Sequence, residues 1–208
     1  MESATVLLGL QQMYGDTNMR FKSTKQAEAV KLALKREKDI VAVLSTGGGK
    51  SLIFQLPAFL EMDLTTIVIV PYVSLVGEME ERCTDLGLSR QVWKGKGRNT
   101  ERYQALIIGV EHAVIQEFQQ MLIQLESSEK LGRIVLDECQ IVFTQRSFRP
   151  VVRRLASVVR CVSVQLILLT ATLPVRMEEK IRIILGCEEW TVVRSFEDRK
   201  ELKYVMLR

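Results

Sequence analysis

The stretch Ser45-Thr46-Gly47-Gly48-Gly49-Lys50-Ser51 gathers residue types that suit one ligand chemistry, a nucleotide polyphosphate. Consecutive glycines let backbone N–H groups converge on phosphate oxygens with no Cβ in the way. Lys50 adds a point charge toward the β- and γ-phosphates, and the Ser51 hydroxyl is a ligand type for Mg²⁺. The apolar run Ile40-Val41-Ala42-Val43-Leu44 precedes the loop and the helix-capable Leu52-Ile53-Phe54-Gln55-Leu56 follows it. Strand, glycine loop, helix is the context the mechanism requires, because the helix aims the positive end of its dipole at the same anion. Leu44 stands where the strict G-x-x-x-x-G-K-[ST] pattern has its first glycine. A flexible turn ending in an exposed lysine is the alternative reading, and it leaves the flanking strand and helix signals without a purpose.

A second candidate is Asp137-Glu138, directly after the apolar Ile134-Val135-Leu136. Taken alone, an Asp-Glu pair is usually a solvated loop. Behind a buried strand and opposite a glycine loop, the two carboxylates divide the work of nucleotide hydrolysis: Asp137 to hold Mg²⁺ and Glu138 to orient the attacking water. Thr170 and Thr172, after Gln165 to Leu169, are either plain strand-forming residues or hydroxyls placed to sense loss of the γ-phosphate.

The elements that must position these residues follow from hydrophobic patterning. Short apolar runs at Ile40 to Leu44, Thr66 to Val70, Arg90 to Trp93, Ala105 to Val110, Ile134 to Leu136, Gln165 to Leu169 and Thr191 to Val193 alternate with helix-capable stretches. That alternation predicts an α/β fold, a mostly parallel sheet with helices on both faces. Lys25 to Arg36 reads as an amphipathic helix, and a second starts at Pro174, with proline at an early helical position. Ligands of open α/β sheets bind beyond the carboxyl ends of strands, and the unusual residues recur there: the glycine loop after Leu44, Pro71-Tyr72 after Val70, Asp137-Glu138 after Leu136, Thr170-Ala171-Thr172 after Leu169. Four strand ends are expected to share one rim.

Composition narrows the class. With 208 residues, 47% hydrophobic and 26% charged, the chain has room for one sizeable core. Cys83, Cys139, Cys161 and Cys187 have no C-x-x-C spacing and His112 is the single histidine, so neither a disulfide framework nor a zinc site is expected. No apolar run approaches the ~20 residues that span a bilayer, and the N-terminus has no signal pattern. The expectation is a soluble, intracellular protein without membrane partners, and a net charge of +4 leaves room for a polyanion.

The order TGGGKS, DECQ, TAT, with FKSTKQAE upstream, resembles the first RecA-like domain of superfamily 2 helicases, specifically the RecQ family. The resemblance implies a P-loop RecA-like fold over residues 1–194, ATP and Mg²⁺ as cofactors, DNA as partner, nuclear placement in a eukaryote, and roles in DNA repair and recombination. Phe21 with Gln26 and Glu28 is similar to the upstream adenine motif, in which the aromatic packs on the base and the amide reads its edge; the Phe-to-Gln interval is one residue longer than usual. Thr46, Gly47, Gly48, Gly49, Lys50 and Ser51 fall in the family's phosphate loop, where the leading position need not be glycine. Asp137, Glu138, Cys139 and Gln140 occupy the DEAH-type box, with Gln140 replacing the histidine that relays nucleotide state to DNA. Thr170 and Thr172 match the third motif.

By the same resemblance Pro71, Tyr72 and Ser74 sit where the family touches a single strand, and Gly109-Val110-Glu111-His112 falls near a second such motif. Phe148-Arg149-Pro150 fits the end of the family's aromatic-rich loop, although the loop is one residue shorter and lacks its tryptophan and histidine. Phe143 and Phe148 are the aromatics left there. Five arginines and no acid lie between Arg146 and Arg160, suiting either phosphates or a solvated helix face. Residues 195–208 resemble the interdomain link and the opening strand of a second RecA-like domain, so the chain reads as one lobe of an ATP-dependent DNA helicase of 3′-to-5′ type. A non-catalytic ATP- or DNA-binding module, or a degenerate helicase fragment, is the alternative.

Overall fold

The computed structural model describes residues 3–95, 103–144 and 149–195. Its strands are β1 (Asp39–Val43), β2 (Thr65–Val70), β3 (Arg90–Val92), β4 (Ala105–Gly109), β5 (Leu131–Leu136), β6 (Gln165–Thr170) and β7 (Trp190–Arg194). They form one sheet in the order β3-β4-β2-β5-β6-β1-β7, and each adjacent pair is parallel. The strands lie where the apolar runs predict them, and β2, β5, β6 and β1, whose ends carry the candidate residues, are consecutive neighbours.

A parallel sheet buried on both faces needs apolar residues at both parities of each central strand. Val41, Val43, Ile67, Ile69, Ile134, Leu136, Leu166 and Leu168 share one face. There they meet Phe118 and Leu122 of α6 (Gln116–Ser127), Leu155 of α8 (Arg149–Val159) and Ile181 and Leu185 of α9 (Val175–Leu185). Ile40, Ala42, Val68, Val70, Val135, Ile167 and Leu169 point the other way. They are covered by Val6 and Leu10 of α1 (Ser3–Tyr14), Ala29 and Val30 of α2 (Thr24–Lys35), Phe54 of α3 (Leu52–Leu60) and Cys83 of α4 (Ser74–Asp85). Two short helices, α5 (Val110–Ala113) and α7 (Cys139–Thr144), follow β4 and β5.

Local chemistry sets the element ends. The Ser23 hydroxyl accepts the Gln26 N–H at 3.0 Å and starts α2, while Arg36, at φ 55°, ends it one residue short of the expected boundary. Pro174, expected just inside α9, stands as the cap before it, with extended backbone (φ −61°, ψ 135°).

The sequence pattern gives no warning of Arg133, which is fully buried on β5. Its guanidinium pairs with Glu61 at the end of α3, donates to Thr66 Oγ1 at 3.1 Å and approaches the Ala33 carbonyl of α2 at 3.4 Å. One cation thus ties β5, β2, α2 and α3 together at the end of the sheet remote from the glycine loop. Burial lowers the Arg133 pKa and Glu61 opposes that shift. Removing one partner of a buried pair costs ~3–5 kcal/mol because a charge is left uncompensated, and the two partners differ in what is left to them: without Arg133 the Glu61 carboxylate still has Arg36 Nε at 3.6 Å, whereas without Glu61 the fully buried guanidinium loses its carboxylate. Glu61→Gln is therefore expected to destabilise the fold more than Arg133→Met in urea denaturation, with equal losses counting against this role.

Candidate nucleotide-binding site

Leu44 continues β1 by one bond, donating its N–H to the Thr170 carbonyl at 3.1 Å, and its side chain is buried in the core. A residue at this position serves packing and needs no positive φ, which is why the first glycine of the strict pattern is dispensable here. Gly47 (φ 82°) and Gly49 (φ 74°) do take the left-handed conformation that side chains resist. At Gly49 a Cβ would fall 2.1 Å from Gln26 Nε2, so that glycine is fixed by close approach as well.

The loop is strapped from above by the residues that precede and open α2. Gln26, almost fully buried, accepts the Lys22 N–H through Oε1 at 2.7 Å and donates through Nε2 to the Gly49 carbonyl at 3.0 Å. Lys22 Nζ donates to the Gly47 carbonyl at 2.9 Å. Lys22 was not singled out by sequence reasoning; its place four residues before Gln26 is the only signal, and that spacing is common. Thr46 is exposed at the loop crest, and Ser51 stands immediately before α3.

From the loop a polar chain runs along the carboxyl rim. Lys50 Nζ lies 3.5 Å from the Leu44 carbonyl and 3.9 Å from Glu138 Oε1. Gln140 Nε2 donates to Glu138 Oε2 at 2.6 Å. Thr170 Oγ1 lies 2.5 Å from Gln140 Oε1 and 2.8 Å from the Thr172 carbonyl, and it accepts the Thr172 N–H at 3.1 Å. Its single proton has two acceptors to choose between. The structure therefore brings Lys50, Glu138, Gln140, Thr170 and Thr172 into one network.

Glu138 has a left-handed backbone (φ 45°), rare for a residue with a Cβ and a form of strain that gathers at functional sites. Asp137 Oδ1 accepts the Glu138 N–H at 3.0 Å. Burial, and then the adjacent Glu138 charge, push the Asp137 pKa up to about 6. Two carboxylates facing one lysine leave the rim short of positive charge, the electrostatic state that a divalent cation relieves. Among the described residues no group of three or more His, Cys, Asp or Glu is placed to hold a metal by itself. A hydroxyl and one carboxylate suit Mg²⁺, which keeps waters and phosphate oxygens as its other ligands.

A recess of ~320 Å³ opens beside the loop, lined by Tyr14, Met19, Arg20, Lys22, Gln26, Gly49, Ser51, Leu52, Gln55, Arg82, Asp85 and Leu86. Phe21 is not brought to it together with Gln26: it lines a neighbouring recess with Leu7, Ala27 and Lys31 and packs against the core. The aromatic at the base-sized recess is Tyr14, the last residue of α1 and about two-fifths exposed. Arg82 and Asp85 reach it from α4, far along the chain, where only the folded structure reveals them.

Of the expected strand contacts, Pro71 is buried, whereas Tyr72, Val73 and Ser74 are exposed at the carboxyl end of β2. Glu111 and His112 are exposed beside them, after β4. Phe143 is partly buried and packs on the core. Phe148 lies outside the described residues, as do residues 196–208, and of Arg149 only the backbone at the start of α8 is described.

The Asp137 shift has a signed consequence. Its folded pKa of about 6 lies above the ordinary 3.8, so the folded state binds the extra proton between those values and stability falls as pH rises through that window. A two-unit shift corresponds to ~3 kcal/mol at most. Asp137→Asn keeps the acceptor for the Glu138 N–H and removes the charge. It is expected to raise the melting temperature above pH 6, with the gain vanishing toward pH 4; a gain independent of pH would contradict this origin.

A scan against protein families matches residues 23–181 to the DEAD/DEAH box helicases. The chain is 33% identical to the ATP-dependent DNA helicase RecQ of Synechocystis sp. over 73% of its length and 33% of the relative's. It is 30% identical to the putative ATP-dependent DNA helicase Q1 of Caenorhabditis briggsae over 88% of its length and 32% of that protein's. With the ATP-dependent helicase SGS1 of Saccharomyces cerevisiae it shares 29% identity over 86% of its own length and 14% of the relative's. The chain thus spans at most a third of these relatives. Among solved structures, the DUF1998 helicase MrfA bound to DNA superposes with a TM-score of 0.69 at 17% identity, over 90% of this chain and 29% of that one. A hypothetical ATP-dependent RNA helicase from Sulfolobus tokodaii gives 0.62 at 15% identity, over 90% and 57%. These two likenesses concern the fold, which is the α/β helicase fold expected from the motifs. With the glycine loop, the acidic pair and the paired threonines on adjoining strand ends, and with three-quarters of its length covered by the family match, the chain belongs to the DEAD/DEAH box helicase family, the three relatives named above being RecQ-family helicases.

Proposed function

We propose that this chain is the nucleotide-binding lobe of a RecQ-type DNA helicase that hydrolyses ATP with Mg²⁺ to move along single-stranded DNA. The observation that carries the reading is the unbroken polar chain from Lys50 through Glu138 and Gln140 to Thr170. A network that joins the phosphate loop to the acidic pair and the third motif is what a machine needs to convert phosphate loss into movement.

The loop N–H groups and Lys50 hold the polyphosphate, with the base in the recess beside Tyr14 and Gln26. The Gln26 amide uses one N–H and one lone pair within the protein and keeps one of each for an adenine edge. Ser51 and Asp137 would hold Mg²⁺, whose chemistry there is to neutralise charge on the phosphate oxygens. Glu138, near Lys50 and fixed by Gln140, orients the attacking water. Loss of the γ-phosphate then redistributes the Thr170 proton between Gln140 and the Thr172 carbonyl. Single-stranded DNA passes over Tyr72 and Ser74, with Pro71 supporting the turn beneath them. Phe148 and Arg149 are proposed contacts further along the same path.

Translocation requires a second RecA-like domain, in cis or in trans, that closes on ATP and reopens after hydrolysis. By analogy with arginine fingers, the arginines such a lobe adds are worth ~10³–10⁵ in rate. The 208-residue chain is accordingly expected to bind Mg·ATP yet leave a 3′-tailed duplex intact, and fusion to a second lobe is expected to give DNA-stimulated ATPase. In that fusion Glu138→Gln retains nucleotide binding and loses hydrolysis. Strand separation by the lone chain, or hydrolysis that survives Glu138→Gln, would refute the assignment.

A further inference from the structure

At the carboxyl end of β7, Arg194 is in register with Val43, the last residue of β1, and the Ser195 N–H donates to the Val43 carbonyl at 3.0 Å. The phosphate loop therefore leaves the sheet between β6 on one side and the end of β7 on the other. The Arg194 side chain bridges that gap. One guanidinium arm donates to the Leu173 carbonyl at 2.8 Å, and the other pairs with Glu178 on α9. Both side chains of the pair are at least four-fifths buried. An anchor for α9 needs only the bond to Glu178; the second arm takes the carbonyl of the residue directly after Thr172.

We propose that Arg194 is a positioning residue that carries the state of the Thr170–Thr172 segment to the end of β7, where the chain leaves the sheet. The inference rests on the nucleotide reading above. Thr170 has one proton and two acceptors, so the segment has two arrangements available, the discrete element that coupling between sites requires. Leu173 lies one residue beyond the second acceptor, and Arg194 holds it through a planar fork that occupies two partners at once. A shift of the Thr172 carbonyl thus moves the guanidinium, and with it the strand end hydrogen-bonded to the base of the phosphate loop.

Hydrogen exchange read by mass spectrometry on the whole chain tests this, with and without a non-hydrolysable ATP analogue and Mg²⁺. In the parent protein the analogue is expected to slow exchange several-fold in peptides covering the phosphate loop and in those covering Trp190–Ser195. Arg194→Met is expected to keep the first response and lose the second. Glu178→Gln, which spares the bond to Leu173, is expected to keep both. Should Arg194→Met fail to fold, Arg194→Lys takes its place: a point-like ammonium lacks the planar fork that fixes the two partners relative to each other, and the response at β7 weakens relative to that at the loop. A β7 response that matches the parent's in the Arg194 variants, or that is lost equally in Glu178→Gln, overturns the proposal. Absence of the phosphate-loop response in the parent overturns the nucleotide reading and the proposal with it.

Discussion

Parallel pairing throughout the sheet is the constraint from which the rest follows. Parallel strands need crossovers, crossovers place helices on both faces, and the strands must then be apolar at both parities. Every carboxyl end consequently falls on one edge, and the residues that cannot be buried collect there. With β2, β5, β6 and β1 side by side, the glycine loop, the acidic pair and the threonine segment are neighbours despite lying about 120 residues apart in the chain. The Leu44 bond to Thr170 ties the base of the loop to the very residue whose hydroxyl ends the polar network.

The rim carries buried charge and backbone strain at some expense to stability. Asp137 is held where its charge is costly, and Glu138 is held in a left-handed backbone that few side chains adopt. Neither feature helps the free protein fold. Both place negative charge where, in the proposed function, a divalent cation would supply the compensating field, while the loop N–H groups and Lys50 would receive the phosphates. Arg133 and Glu61 at the remote end show the contrasting case, a buried cation matched by its own carboxylate.

Much of this was legible in the residues because the local signals agreed with one another. All strands and α2 lie within a few residues of where patterning puts them, since apolar runs bounded by polar strand ends admit one architecture. The loop and the acidic pair were legible because their chemistry is compressed into adjacent residues. What eluded sequence reasoning depends on contacts distant in the chain: Arg133 with Glu61, Tyr14 with Arg82 around the recess, and Arg194 with Leu173. The family resemblance puts Phe21 on the base, but its side chain lines a separate recess with Leu7 and Ala27, while the Ser23 cap starts α2 at Thr24 and turns Gln26 to the loop. Pro174 was placed one position too far into its helix because proline is favoured at both sites and only the backbone angles separate them.

The central claim, that this rim is a nucleotide site organised around Lys50, is tested most directly by titrating a fluorescent ATP analogue against the parent chain and Lys50→Ala in the presence of Mg²⁺. A charge-assisted contact to phosphate is worth ~1.5–3 kcal/mol, so the variant is expected to bind roughly 10- to 100-fold more weakly while remaining folded. Equal affinity of the two proteins would contradict the claim.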